Sequence, residues 1–203
     1  MTGICDYKMG NLASVKNAFA LLGEAVAVES DPDRLAGYDR LILPGVGAFG
    51  DAMEHLRERG MDEALKAYAD SGKPMLGICL GMQLLFDSSE EFGPNPGLGL
   101  IKGRVVAFDT ARFDHPLKVP HMGWNRMFTK PHPLFEGLDE AHYLYFVHSY
   151  HAEAENGDDI IGETEYGYRF TSAVAHDNVM GIQPHPEKSH KNGLQILKNF
   201  INL

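Results

Sequence analysis

Residues 77–83 read Gly-Ile-Cys-Leu-Gly-Met-Gln and sit between two apolar runs, Pro74 to Ile78 and Met82 to Phe86. The first run reads as a buried strand and the second as the start of a helix. Gly77 and Gly81, two residues either side of Cys79, permit a sharp turn and a close approach of neighbouring backbone. This is the thiol form of the strand–turn–helix nucleophile elbow. It sets the sulfur at a helix start, where free N–H groups and the helix dipole favour thiolate. A chain built around such an elbow needs a general base and oxyanion donors close by.

The flanking sequence predicts the sheet that carries this elbow. A short strand begins at Ile4-Cys5 and ends near Tyr7. Asn11 can cap a helix whose apolar residues Leu12, Val15, Ala18, Phe19 and Leu22 keep helical spacing, and Gly23 closes it. Ala25 to Val28 and Arg40 to Leu43 read as the next strands, the latter ending in Pro44-Gly45-Val46-Gly47. Helical stretches follow around Met53 and Leu56, and again from Met61 to Ser71. Strands separated by helices of this length imply βαβ units and a mostly parallel central sheet flanked by helices. Ligands in such folds bind at the carboxyl ends of strands, where both Cys79 and the Pro44–Gly47 loop fall.

The second half is richer in short strands: Arg104 to Phe108, Tyr143 to Val147, Ile160 to Glu163, Ser172 to Ala175 and Val179 to Gln183. They predict an antiparallel β extension on the parallel core, closed by a helix from about His190 or Asn192 to Ile201. Residues 90–99 read as a loop, and the expectation is a single domain over residues 1–203.

A net charge of −10 argues against nucleic acid as the main partner. No stretch approaches the roughly 20 apolar residues of a membrane span. Met1-Thr2-Gly3-Ile4 has no signal-peptide pattern, and Cys5 and Cys79 can form at most one disulfide, so the expected location is cytoplasmic. Cys5, without an elbow, reads as an ordinary buried thiol.

The base is supplied by Gln183-Pro184-His185-Pro186-Glu187-Lys188-Ser189, directly after a predicted strand. Pro186 biases His185 towards extended geometry, and residues two apart in an extended segment face the same side. His185 and Glu187 can therefore converge, the carboxylate orienting the imidazole. The Pro44–Gly47 loop and the Leu80 amide are the candidate oxyanion donors. Ten histidines, among them His121, His148, His151 and His185, lack metal-ligand spacing, and no phosphate-binding glycine loop is present, so neither a metal nor a cofactor is expected.

The Cys79 motif with His185-Pro186-Glu187 resembles the class I (triad) glutamine amidotransferases, which have a flavodoxin-like α/β fold. Asp6-Tyr7, Gly10-Asn11-Leu12, Pro44 to Phe49, Pro120-His121-Met122-Gly123-Trp124-Asn125, Tyr145 to Tyr150 and Pro186 to Ser189 narrow the resemblance. These segments look like the glutaminase subunits of imidazole glycerol phosphate synthases, over nearly the whole chain. The resemblance implies that Cys79 attacks the carboxamide of glutamine, that His185 moves the proton to ammonia, and that Glu187 orients His185. It implies further that Gly47, Gln83, Ser149 and Tyr150 contact glutamine, with the Val46 and Leu80 amides as oxyanion hole. The implied partner is a separate (βα)8 cyclase subunit in a heterodimer, with Met9, Met122, Trp124, Asn125 and Lys188 facing it or the ammonia gate. For Met122 and Trp124 core packing is the competing expectation. An ammonia-supplying subunit for another barrel synthase and a catalytically silent binding subunit are the alternatives. The chain departs from the family pattern at Lys8, where Gly is usual, and at Pro184, where Phe is common. A positive φ at Lys8 costs about 1–2 kcal/mol, and Pro184 requires a strand that ends there or lies at an edge.

Overall fold

Helices alternate with short apolar strands through the first half of the chain. The structure is a computed structural model describing residues 1–203. It contains β1 (Thr2–Cys5), α1 (Leu12–Leu21), β2 (Val26–Glu29), β3 (Arg40–Gly45), α2 (Phe49–Glu58), α3 (Met61–Asp70), β4 (Met75–Cys79) and α4 (Leu80–Leu84). The remainder runs β5 (Phe86–Ser89), β6 (Asn95–Pro96), β7 (Ile101–Ala107), β8 (His121–Thr129), β9 (Ala141–His148), β10 (Tyr150–Ala154), β11 (Ile160–Tyr166), β12 (Tyr168–His176), β13 (Val179–Ile182) and α5 (His190–Ile201). Asn11 caps α1, its side-chain oxygen accepting from Ser14 N at 3.2 Å, and Gly23 closes that helix with φ of 77°. No helix is long and apolar enough to cross a membrane.

The core sheet is parallel in the order β2-β1-β3-β4-β13. Side chains alternate across it, so Leu41, Leu43 and Met75 pack under α2 and α3, while Ile42, Leu76 and Ile78 pack under α1 and α5. With both faces covered, these strands are apolar runs. From β13 the sheet continues antiparallel through β12 and β10 to β7, with β11, β8 and β9 branching from β12. The fold is thus α/β with a parallel core and an antiparallel extension, and the extension holds most of the strands.

The register places the chemistry. Gly45 of β3 lies opposite Cys79 of β4, and Ile78 lies opposite Ile182, the last residue of β13. Three adjacent parallel strands therefore end together and deliver the Pro44–Gly47 loop, Cys79 and the His185 segment to one rim. β13 is an internal strand and stops before Pro184, which resolves the missing donor there.

Several boundaries differ from expectation. β1 ends at Cys5 rather than near Tyr7. The helix after Cys79 covers Leu80–Leu84 rather than running to Phe86. The chain returning through Gly97–Ile101 explains this: its amides donate to the carbonyls of Leu84, Leu85 and Phe86, which helix continuation would have needed. Strands β5, β6, β8 and β10 carried no strand signal in the sequence reading. β8, His-Met-Gly-Trp-Asn-Arg-Met-Phe-Thr, is held as a strand by β9 along one edge and by β11 at Met127–Thr129 along the other.

Gly81 seats α4 against β3. A Cβ there would fall inside the contact shell of the Leu43 carbonyl oxygen, and a Cβ on Gly77 would lie 2.6 Å from the Gly81 carbonyl oxygen. Because only backbone can yield, Gly81→Ala is expected to cost about 3 kcal/mol or more in urea-unfolding free energy. Wild-type stability in that variant would contradict the close approach.

Candidate active site

Cys79 has φ 56° and ψ −113°, a backbone conformation that L residues seldom adopt. The last residue of β4 is thereby turned so that its sulfur enters a cavity of about 290 Å³, at the lower edge of the usual size for small-molecule sites. Val46, Gly47, Leu80, Gln83, Ser149, Tyr150 and His185 also line it, so seven of the predicted site residues meet around the sulfur. A larger groove of about 610 Å³, formed by the turn between β8 and β9, holds none of them.

His185 lies just past β13 and is 3% exposed. Its Nδ1 is 2.7 Å from Glu187 Oε1, and both side chains are almost fully buried. The His-x-Glu spacing therefore brings the two together. Ser189 Oγ donates to the His185 carbonyl at 2.6 Å and accepts from Tyr145 N at 2.9 Å, tying the segment to β9. Burial alone would lower the His185 pKa. Its interactions with the Cys79 sulfur and the Glu187 carboxylate override that and raise it well above the ordinary histidine range. At neutral pH this favours imidazolium, the form that pairs with a thiolate. His185 Nε2 and Glu187 Oε2 are buried without a hydrogen-bond partner of ordinary geometry. The Cys79 sulfur is thus the only group in the protein left for the Nε2 side of the ring.

The oxyanion donors are only half in place. Leu80 is the first residue of α4, and its amide has no intrahelical acceptor. The Val46 amide, expected as the second donor, is instead spent on Met9 O at 3.0 Å. The physical reason is local: Lys8 adopts φ 72° with its amide on Asp6 Oδ1, and this turn aims the Met9 carbonyl at the loop. The departure at Lys8 thus keeps the left-handed geometry and bears its strain. Tyr7 donates to Pro44 O at 2.8 Å and fixes the loop's other end. Gly47, at φ 103°, has Met9 Cε against it. Gln83, expected to touch a ligand, already spends its amide nitrogen on Tyr150 O at 3.1 Å and Gln183 Oε1 at 2.9 Å.

Sequence reading missed Glu91, which lay in a segment taken only as a loop. Its carboxylate enters the cavity rim, where Oε2 accepts from Phe49 N at 2.8 Å at the start of α2. Burial pushes its pKa up, the Phe49 amide pulls it back, and Asp51 adds to the rise. It also missed the pairing of His121 with His148. Their rings join at 2.9 Å, His148 Nδ1 donates to Tyr150 O at 2.8 Å, and Asn125 Nδ2 reaches His121 Nε2 at 3.1 Å. Both rings are therefore neutral, each donating through one nitrogen and accepting through the other. No spacing rule links positions 27 apart on paired strands.

The predicted interface residues do not share the cavity. Met122 and Trp124 are 62% and 46% exposed on β8, which removes core packing as their explanation. Trp124 stacks on His190 at 5.0 Å. Lys188 is exposed, while Asn125 and Met9 are half-buried with the partners given above.

Burial lowers His121 to about pKa 4 and drives His148 well below its ordinary value. An unfolded histidine takes up its proton near pH 6.5, whereas folded His121 resists until about pH 4. The stabilisation is complete above about pH 6.5 and is lost as pH falls towards 4. The raised His185 has reached its full stabilisation below about pH 6, so urea-unfolding free energy should drop between pH 6 and pH 5, by roughly 1 kcal/mol from His121 alone. A flat profile there would contradict the neutral pair.

Comparison with known proteins places this geometry. The family described as "Glutamine amidotransferase class-I" matches residues 4–203. Imidazole glycerol phosphate synthase subunit HisH of Sulfurimonas denitrificans is 74% identical over 200 residues, covering 98% of this chain and 97% of that protein. The protein of the same name from Wolinella succinogenes is 58% identical, with 100% of each chain covered. Among solved structures, PurLQS from Thermotoga maritima aligns with a TM-score of 0.78 at 18% identity, over 99% of this chain and 97% of that one. A structure described as glutamine amidotransferase gives 0.77 at 18% identity, over the same shares. These two structures show the fold alone.

Proposed function

The chain belongs to the class-I glutamine amidotransferases, and from that premise we propose that it is the glutaminase subunit of an imidazole glycerol phosphate synthase. The observation that carries the chemistry is the strained Cys79 elbow facing His185 Nε2, with Glu187 on the far side of the ring. The identity of 74% to a protein named as that synthase's subunit supports the assignment within the family.

The thiolate of Cys79 attacks the carboxamide carbon of glutamine, forming an S–C bond as the carbonyl electron pair moves to oxygen. His185 gives its proton to the nitrogen, the C–N bond breaks, and ammonia leaves a glutamyl thioester. Water, deprotonated by His185, then adds to the thioester, the C–S bond breaks, and glutamate departs. Glu187 keeps the ring oriented through both steps. Gly47, Ser149 and Tyr150 line the wall around the substrate. Glu91 has Oε1 left for a cation beside the cavity, which fits the α-ammonium of glutamine.

The Leu80 amide stabilises the oxyanion at once, whereas the Val46 amide does so only after its peptide turns away from Met9 O. One missing donor costs about 3–4 kcal/mol of transition-state stabilisation, so this resting arrangement is a slow glutaminase. Ammonia passes to a separate (βα)8 cyclase subunit, which uses it on a phosphoribulosyl-formimino carboxamide ribonucleotide to form imidazole glycerol phosphate and an aminoimidazole carboxamide ribonucleotide. The exposed Met122 and Trp124, with Lys188, are the proposed docking residues, and Met9 holds the oxyanion loop through its carbonyl. The ordered His185–Glu187 pair speaks against a silent binding subunit.

The testing experiment is turnover of the reconstituted synthase with glutamine or with ammonium salt. Cys79→Ala should abolish the glutamine-dependent reaction and leave the ammonia-dependent one intact; equal loss of both would overturn the division of labour. Glu91→Gln should raise the KM for glutamine by about tenfold or more, because a charged hydrogen bond is removed. An unchanged KM would take Glu91 out of substrate binding.

A further inference from the structure

We infer that Gln183 is a catalytic residue whose side-chain amide donates a hydrogen bond to the Cys79 sulfur, and that Gln83 positions it. The inference rests on Cys79 being the nucleophile. Gln183 Nε2 lies 3.7 Å from Cys79 Sγ, and the side chain is completely buried.

The orientation of both amides follows from one fixed acceptor. The backbone oxygen of Tyr150 can only accept, so the Gln83 group 3.1 Å from it is NH2. That same nitrogen is 2.9 Å from Gln183, which must therefore present its oxygen. The Gln183 NH2 group is left to face the sulfur. Two further restraints hold it there. Gln183 N donates to Ser172 O at 2.8 Å across the sheet, and Pro184 biases Gln183 to extended backbone.

The donor has a role in both halves of the reaction. Before attack it stabilises the thiolate from the side away from solvent. During thioester hydrolysis the C–S bond breaks with its electron pair returning to sulfur, and the same N–H receives the charge. Gln83 lines the same cavity, and through its Nε2 it holds the Gln183 oxygen and so orients the Gln183 NH2 group.

The test is alkylation of the full chain with iodoacetamide, read residue by residue from labelled peptides. Gln183→Met keeps the length and removes the donor; Cys79 labelling at pH 7 should slow about five- to tenfold. Near pH 10, where an ordinary thiol is ionised without help, the rates should converge. Gln183→Glu keeps both the shape and the acceptor for Gln83 but sets an anion beside the sulfur. It should slow labelling further, and it supplies the test should Gln183→Met fail to fold. Gln83→Met should slow labelling in the same direction, and the double variant should be no slower than Gln183→Met alone. Unchanged labelling at pH 7 in Gln183→Met, or a Gln83→Met that raises the KM for glutamine with labelling untouched, would overturn the inference. A wild-type Cys79 that labels no faster than buried Cys5 would instead sink the nucleophile reading on which it rests.

Discussion

Parallel pairing of β4 between β3 and β13 is the constraint on which the rest depends. Each of these strands is a short apolar run with both faces covered, so its register is fixed by packing on two sides. Gly45 opposite Cys79, and Ile182 opposite Ile78, make three chain segments leave the sheet at one level. A slip of one residue would turn Cys79 to the other face and separate it from His185. The close seat of Gly81 on Leu43 locks the elbow in this register and holds the positive φ of the nucleophile.

Around that elbow the site divides into a finished half and an unfinished one. The sulfur, the His185–Glu187 pair, the Leu80 amide and the buried Gln183 lie at or just past the ends of β4 and β13 and are already set. The Val46 amide belongs to a loop held between two hydrogen bonds, Tyr7 to Pro44 O and Val46 N to Met9 O. Only the second occupies an amide that the proposed oxyanion hole uses, and its acceptor follows the strained turn at Lys8.

Much of this was legible residue by residue. The 3.6 spacing of α1 with its Asn11 cap, the apolar strands of the first half and the proline-bracketed His-x-Glu all rest on local rules. The five-residue α4 was not legible, because a segment more than ten residues downstream takes its carbonyls. Nor were β8 and β10, whose strand character comes from their neighbours rather than from propensity. Glu91 and Gln183 were missed for a related reason: each meets its partner through folding, and no fixed interval in the chain marks the meeting.

The sequence by itself determined the α/β class, the cysteine at an elbow and the carboxylate paired with His185, since each is encoded within a few consecutive residues. Only the tertiary structure decided which donors are free. A backbone amide or a glutamine nitrogen counts for catalysis by what else it is bonded to. For Val46, Gln83 and Gln183 those bonds run to Met9, Tyr150 and Cys79, residues that pairing and packing bring close and sequence distance does not.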